Sequence, residues 1–296
     1  MSHKLLLFGA NGQVGWELQR SLAWLGDVVP VDRAKVDLRD AQAVRACIEQ
    51  ARPQAIVNAA AYTAVDRAES EPEAAHAINA QAPAVMAESA RALGIPLVHY
   101  STDYVYDGKK PTPYLEGDAS APLSVYGRTK LAGDQAIVQS GCRHLILRTT
   151  WVYAARGHNF VKTILRLARE RDALRIVADQ VGAPTSAELI ADITALALRE
   201  LQADRLAGGI YHCTAAGRTS WHGYAQYVVE EAARLGQRLK LAPGDIEPIA
   251  TSDYPLAAAR PANSVLDCGR LQNDLHITLP DWQVHVTRTL KELIPS

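Results

Sequence analysis

The sequence predicts an α/β fold in which a doubly wound parallel sheet carries a smaller C-terminal lobe. Three observations lead there. Short apolar runs of strand length recur through the first half of the chain. Helical patterns separate them. The first run ends in a glycine-punctuated turn that leads straight into a helix.

The first run is Leu5–Phe8, suited to a strand buried on both faces. The turn Gly9-Ala10-Asn11-Gly12-Gln13-Val14-Gly15 follows, and Trp16–Leu22 has helical spacing. Gly9 suits the tight turn, Gly12 the approach of a diphosphate to bare backbone, and Gly15 close packing of helix on strand. A helix start offers unpaired N–H groups and a positive dipole end to an anion. The spacing is Gly-x-x-Gly-x-x-Gly, so an ordinary strand–helix turn is the competing reading. Its position between an apolar run and a helix favours a Rossmann-type dinucleotide site, with Gly9, Asn11, Gly12, Gln13, Val14 and Gly15 against the cofactor.

Val28–Val31 is the second strand and ends at Asp32–Arg33. Ala41–Ala51 is a helix with Asp40 as its N-cap, Pro53 breaks the pattern, and Ala55–Asn58 is the next strand. Pro72–Leu93 reads as one long alanine-rich helix closed by Gly94. Leu97–Tyr100 and Leu145–Arg148 are further strands. In such sheets ligands sit outside the carboxyl ends of the strands. The second half is less regular. Asn159–Arg171, Ala187–Leu201 and Trp221–Leu235 read as helices, Ile210–Cys213 as a strand, and 243–261 as a loop-rich stretch. The expected division is a nucleotide-binding domain over residues 1–150, rejoined by part of 175–220, and a substrate lobe over most of 151–296.

Composition excludes several classes. A net charge of −1 implies no strongly acidic or basic partner. No basic stripe is interleaved with aromatics, so nucleic-acid binding has no support. The four cysteines are scattered singletons, which suits reduced thiols in a cytoplasmic protein. The first strand begins within a few residues of Met1, leaving no room for a signal peptide, and no stretch approaches the ~20 apolar residues of a membrane helix. The nine histidines lack zinc-ligand spacing.

Asp32 stands where a Rossmann fold places the acid that bonds a ribose 2′-hydroxyl, which favours NAD. Arg33 beside it would suit a 2′-phosphate and NADP, or simply a solvated loop. Asp37 and Leu38 could flank an adenine ring or cap a helix. The stretch Asn58-Ala59-Ala60-Ala61-Tyr62 could let a ligand lie on backbone at a strand end, or serve helix–sheet packing.

Tyr126 and Lys130 are four apart, on one face of a helix. A lysine ammonium beside a phenol would lower the phenol's pKa and make a usable acid near neutrality. Such pairs also arise by chance. Here they follow Ser101-Thr102-Asp103-Tyr104 at a strand end, where Thr102 can bond a substrate carbonyl. Strand-end hydroxyl, tyrosine and lysine together are far more specific than any one of them.

These residues resemble the extended short-chain dehydrogenase/reductase family. The similarity is sharpest to its members acting on dTDP-4-dehydro-β-L-rhamnose. It is carried by GQVGWEL (12–18), YTAVDRAESE (62–71), STDYVYDG (101–108), VYGRTKLAG (125–133), RTTWVY (148–153), DQVGAP (179–184) and RPANSVL (260–266), which span both lobes. The resemblance implies NADPH- or NADH-dependent reduction of a sugar-nucleotide C4 ketone, the last step towards dTDP-L-rhamnose for cell-surface polysaccharide such as O-antigen. It implies catalysis by Thr102, Tyr126 and Lys130, with Ala60, Ala61, Tyr62 and Tyr100 along the cofactor. Asp103, Trp151, Arg260 and Asn263 become substrate contacts, although Trp151 alone would read as a core aromatic, Arg260 as a surface charge and Asn263 as a loop cap. It also implies a homodimer, in some members bound to Mg²⁺. Glu188 is the matching acid, but Gln283 stands where a family glutamate often occurs, which puts the metal in doubt.

Two alternatives remain. A sugar-nucleotide epimerase shares the catalytic trio, whereas a dehydratase would carry Glu where Tyr104 stands. Some relatives are non-catalytic NADP-binding regulatory subunits, a role the intact trio argues against.

Overall fold

A computed structural model describes residues 3–294. Its centre is a six-stranded sheet, parallel throughout. Strands β1 (Lys4–Phe8), β2 (Asp27–Val31), β3 (Ala55–Asn58), β4 (Leu97–Thr102) and β5 (His144–Thr149) are joined by a late strand, Gly209–His212. The order across the sheet is Gly209–His212, β5, β4, β3, β1, β2. The chain runs from β1 to β2 on one side and returns to β3 on the other, which opens a crevice at the carboxyl ends of β1 and β3.

The unbroken apolar runs follow from burial on both faces. Leu5 and Leu7 point into one core with Val57, Val98, Leu145 and Leu147. Leu6 and Phe8 point into the other with Ile56, Leu97 and Ile146. Helix α1 (Gln13–Ser21) and helix Ala187–Gln202 cover the first face, where Ser21 Oγ donates to Ala191 O at 2.9 Å. Helices α2 (Ala41–Ala51) and Ala82–Leu93 cover the second.

Two boundaries differ from the sequence expectation. Helix α1 begins at Gln13 rather than Trp16, so its first turn lies inside the glycine motif. Pro72–Leu93 is not one regular helix: Pro72–His76 and Ala82–Leu93 flank a π-helical turn, Ala77–Gln81. Pro83 has no N–H to return to the Asn79 carbonyl, and a widened turn absorbs the missing bond. Asp40 caps α2 as expected, accepting from Gln42 N and Ala43 N at 2.9 and 3.0 Å.

The later part of the chain is held by short pairings. Leu174–Val177 pairs with Ile246–Ile249, Val152–Tyr153 with Thr185–Ser186, and Val181–Gly182 with Thr219–Ser220. Among the described residues all four cysteines are free, and no helix is long and apolar enough to cross a membrane.

Candidate functional site

A crevice of about 1120 Å³ runs along the carboxyl ends of the strands. At one end lies the turn after β1. Gly9 has φ +78°, and a Cβ there would stand 2.5 Å from Ala60 N. At Gly15 it would stand 2.0 Å from the Gly9 carbonyl. Both positions therefore exclude any side chain. Gly12 is roomier, and α1 begins directly after it with no side-chain cap on its free N–H groups. Bare amides, a helix start and an open crevice suit the diphosphate of a dinucleotide.

The same crevice is lined by Asn11, Gly12, Gln13, Val14, Asp32, Arg33, Asp37, Leu38, Ala60, Ala61, Tyr62 and Tyr100. Asp32 accepts from Ala34 N and Lys35 N through Oδ1 and from Asn11 Nδ2 through Oδ2, at 3.0, 3.1 and 2.8 Å. Asp37 is gripped by Arg39, whose guanidinium and backbone N–H hold its carboxyl down at about 2. Asn79 ties the Tyr62 loop to the neighbouring helix, accepting from Tyr62 N at 2.8 Å and donating to Thr129 Oγ1 at 3.2 Å.

Further along, Thr102, Asp103, Tyr126, Lys130 and Trp151 line the same cavity. Thr102 ends β4, and Tyr126 sits in the first turn of helix Val125–Ser140, capped by Ser124. The Tyr126 ring meets the edge of Tyr104 at 5.5 Å. Burial pushes the Tyr126 phenol above its ordinary range, while the Thr102 hydroxyl works against that rise. This departs from expectation, because Lys130 does not pair with Tyr126. Its Nζ donates to Tyr100 O at 2.6 Å and meets His99 Nε2 at 3.0 Å. The spacing puts both side chains on one helix face but leaves the lysine's long stem free to turn to β4. Burial lowers the Lys130 ammonium to about 8.

Asp103 is sealed beside them. Thr102 Oγ1 donates to its Oδ1 at 3.1 Å, and Oδ2 has no partner. Burial pushes this carboxyl up to about 6. Trp151 has φ +49° and stacks on Trp221 at 3.7 Å between centroids. That backbone conformation is unusual for a bulky residue, and the residue lines the crevice.

The two remaining substrate candidates do not line the crevice. Arg260 grips Asp66 with two N–H donors, at 3.2 and 2.7 Å, so its fork faces a carboxylate of this chain. Asn263 donates to Lys110 O and Thr112 O and accepts from Val265 N, which makes it a staple between loops. Glu188 lies elsewhere, bonded to Arg288 Nε at 2.8 Å with His285 at 3.6 Å. Among the described residues no three His, Cys, Asp or Glu side chains are grouped to hold a metal. The magnesium expectation therefore has no support in the structure.

Sequence reasoning missed Thr149, Thr150 and Trp221, which also line the cavity. Thr149 ends β5 as Thr102 ends β4 and Thr150 follows it, so the strand-end rule could have found them. Trp221 comes from the start of a distant helix and carries no local signal.

The RmlD substrate binding domain model matches residues 3–294. The chain belongs to this family. A dTDP-4-dehydrorhamnose reductase of Burkholderia thailandensis is 50% identical over 98% of this chain and 99% of its own length. The enzyme of that name from Escherichia coli K12 is 49% identical over 99% of this chain and 98% of its own. The Bacillus anthracis dTDP-4-dehydrorhamnose reductase, solved in complex with NADP, superposes with a TM-score of 0.91 at 33% identity, covering 99% of this RmlD-family chain and all of that one. The Thermus thermophilus UDP-glucose 4-epimerase, solved with NAD, shares the fold, with a TM-score of 0.79 at 19% identity over 98% of this chain and all of that one.

Proposed function

We propose that the chain reduces the C4 ketone of dTDP-4-dehydro-β-L-rhamnose to dTDP-L-rhamnose with a reduced nicotinamide cofactor. The observation that carries this reading is its full-length match to reductases of that name, at 50% identity with both lobes covered. The crevice supports it, because it places a bare-amide cradle and a hydroxyl–phenol pair along one cavity.

The nicotinamide supplies hydride to the ketone carbon. Thr102 and Tyr126 grip the ketone oxygen, and the Tyr126 hydroxyl gives its proton to the oxygen as negative charge builds there. A phenol held protonated by burial suits this direction of reaction, which needs an acid. Lys130 reaches the cofactor ribose from the floor of the crevice. Gly9, Gly12 and the start of α1 hold the diphosphate of the cofactor, and Asp32 and Arg33 flank its adenosine ribose. Asp32 favours a free 2′-hydroxyl and Arg33 a 2′-phosphate, so the cofactor is NADH or NADPH. Asp103 and Trp151 contact the sugar. Arg260 and Asn263 border the sugar-nucleotide side, where Arg260 would exchange Asp66 for a phosphate. We assign cofactor binding to residues 1–150 with part of 175–220, and substrate binding to most of 151–296. Assembly as a homodimer and residence in the cytoplasm belong to the same reading, and sedimentation tests the first.

The assay mixes the chain with dTDP-4-dehydro-L-rhamnose and follows nicotinamide absorbance with NADPH and NADH in turn. One cofactor oxidised per sugar reduced is expected. Sugar conversion without net oxidation would mean an epimerase, and no turnover with intact NADPH binding would mean a non-catalytic subunit.

A further inference from the structure

Behind the crevice floor, a short buried chain of polar groups ends on Lys130. Ala60 N donates to Asn58 Oδ1 at 3.2 Å, Asn58 Nδ2 meets His99 Nδ1 at 3.0 Å, and His99 Nε2 meets Lys130 Nζ at 3.0 Å. Asn58, His99 and Lys130 are each no more than 1% exposed. Neither Asn58 nor His99 has a role in the reaction as described above.

The direction of this chain follows from its first link. A backbone N–H can only donate, so Ala60 fixes the Asn58 amide with its oxygen toward Ala60 and its NH₂ toward His99. His99 Nδ1 must then accept and carries no proton. Burial and the neighbouring Lys130 keep the imidazole neutral. A neutral imidazole has one N–H, which therefore sits on Nε2 and points at Lys130 Nζ. An ammonium has no lone pair to receive it, whereas a free amine does. Asp134, on the same helix, favours the ammonium, but it is shared with Arg148 of β5. Tyr126 lies one turn earlier on that helix and does not bond Lys130.

We infer that His99 is a positioning residue for ketone reduction: held in its Nε2–H tautomer by Ala60 and Asn58, it steers Lys130 toward the uncharged amine and so sets the lysine's charge from behind the crevice. This rests on the reductase reading for the reaction, though not for the tautomer itself. The lysine's ammonium, lowered to about 8 by burial, agrees with it, since the charge then changes just above neutral pH.

Nitrogen-15 NMR of histidine-labelled protein tests the tautomer without any variant. A protonated Nε2 on His99 is expected, and a protonated Nδ1 would overturn the inference. The pH profile of kcat/KM tests the consequence. The ammonium is the stronger donor to the cofactor ribose assigned to Lys130 above, so in the native chain the profile should fall as Lys130 loses its charge. His99→Gln can rotate its amide to accept from the ammonium, so the falling limb should move up by about one pH unit. Asn58→Asp keeps an acceptor for Ala60 and offers another to Nδ1–H, so the limb should move the same way. In the double variant with His99→Leu, the aspartate has no ring to act through and its effect should shrink. An unmoved limb in His99→Gln with NADPH binding intact, or an undiminished Asn58→Asp effect without the ring, would sink the proposal. A native chain that reduces no 4-dehydro sugar would instead remove the reductase reading, while the labelled histidine still decides the tautomer.

Discussion

Arg148 of β5 and Asp134 of helix Val125–Ser140 form an ion pair, Nε to Oδ2 at 3.2 Å, with side chains only 4% and 2% exposed. Ser101 Oγ donates to the same carboxylate oxygen at 2.8 Å, and Arg148 NH1 donates to Tyr106 OH at 2.8 Å. The pair locks the helix that carries Tyr126 and Lys130 to the strands beneath it. Removing one partner of a sealed pair strands the other charge. Arg148→Met is therefore expected to cost about 3–5 kcal/mol of stability in urea unfolding. A loss below about 1 kcal/mol would show that Asp134 is compensated elsewhere.

Tyr126 faces the crevice with a phenol that burial keeps protonated. Tyr126→Phe keeps the ring and its edge contact with Tyr104 but removes the acid. Turnover of the 4-dehydro sugar should fall about 10²–10⁴-fold, with NADPH affinity nearly unchanged. Native-like turnover in that variant would take the tyrosine out of its assigned place.

Asp32 presents one carboxylate at the crevice beside the exposed Arg33. Asp32→Ser removes an acceptor for a ribose 2′-hydroxyl and a repulsion against a 2′-phosphate. The ratio of kcat/KM with NADPH to that with NADH should rise about tenfold, a change of roughly 1.4 kcal/mol. A ratio that stays constant would place the adenosine ribose elsewhere.

Asp103 predicts a pH signature. Burial raises its folded carboxyl to about 6, and the hydrogen bond from the Thr102 hydroxyl works against that rise. Above the unfolded value near ~3.9 the folded chain still holds a proton that the unfolded chain has released. Stability from this group is thus complete below pH ~4 and is lost as pH rises through about 6. Asp103→Asn mimics the neutral acid and should be more stable than the native chain at pH 7, by up to ~3 kcal/mol, with no advantage at pH 4. Equal melting at both pH values would contradict the buried-acid description.

The sheet was legible in local pattern because its strands are buried on both faces and read as unbroken apolar runs between helical stretches. The glycine turn was legible because Gly9 and Gly15 sit where no Cβ fits, a constraint that chemistry writes into the chain itself. Tyr126 and Thr102 could be placed at one cavity from a strand end and a helix start. Spacing along a helix sets which face a side chain leaves from, but not where a flexible stem ends. Only packing against β4 turned Lys130 away from Tyr126 and onto His99 and the Tyr100 carbonyl. The Arg260–Asp66 clamp joins positions 194 residues apart, and the Trp151–Trp221 stack joins a strand-end loop to the start of a distant helix. No local period encodes such partners, because they exist only once distant segments are brought together and water is excluded from between them.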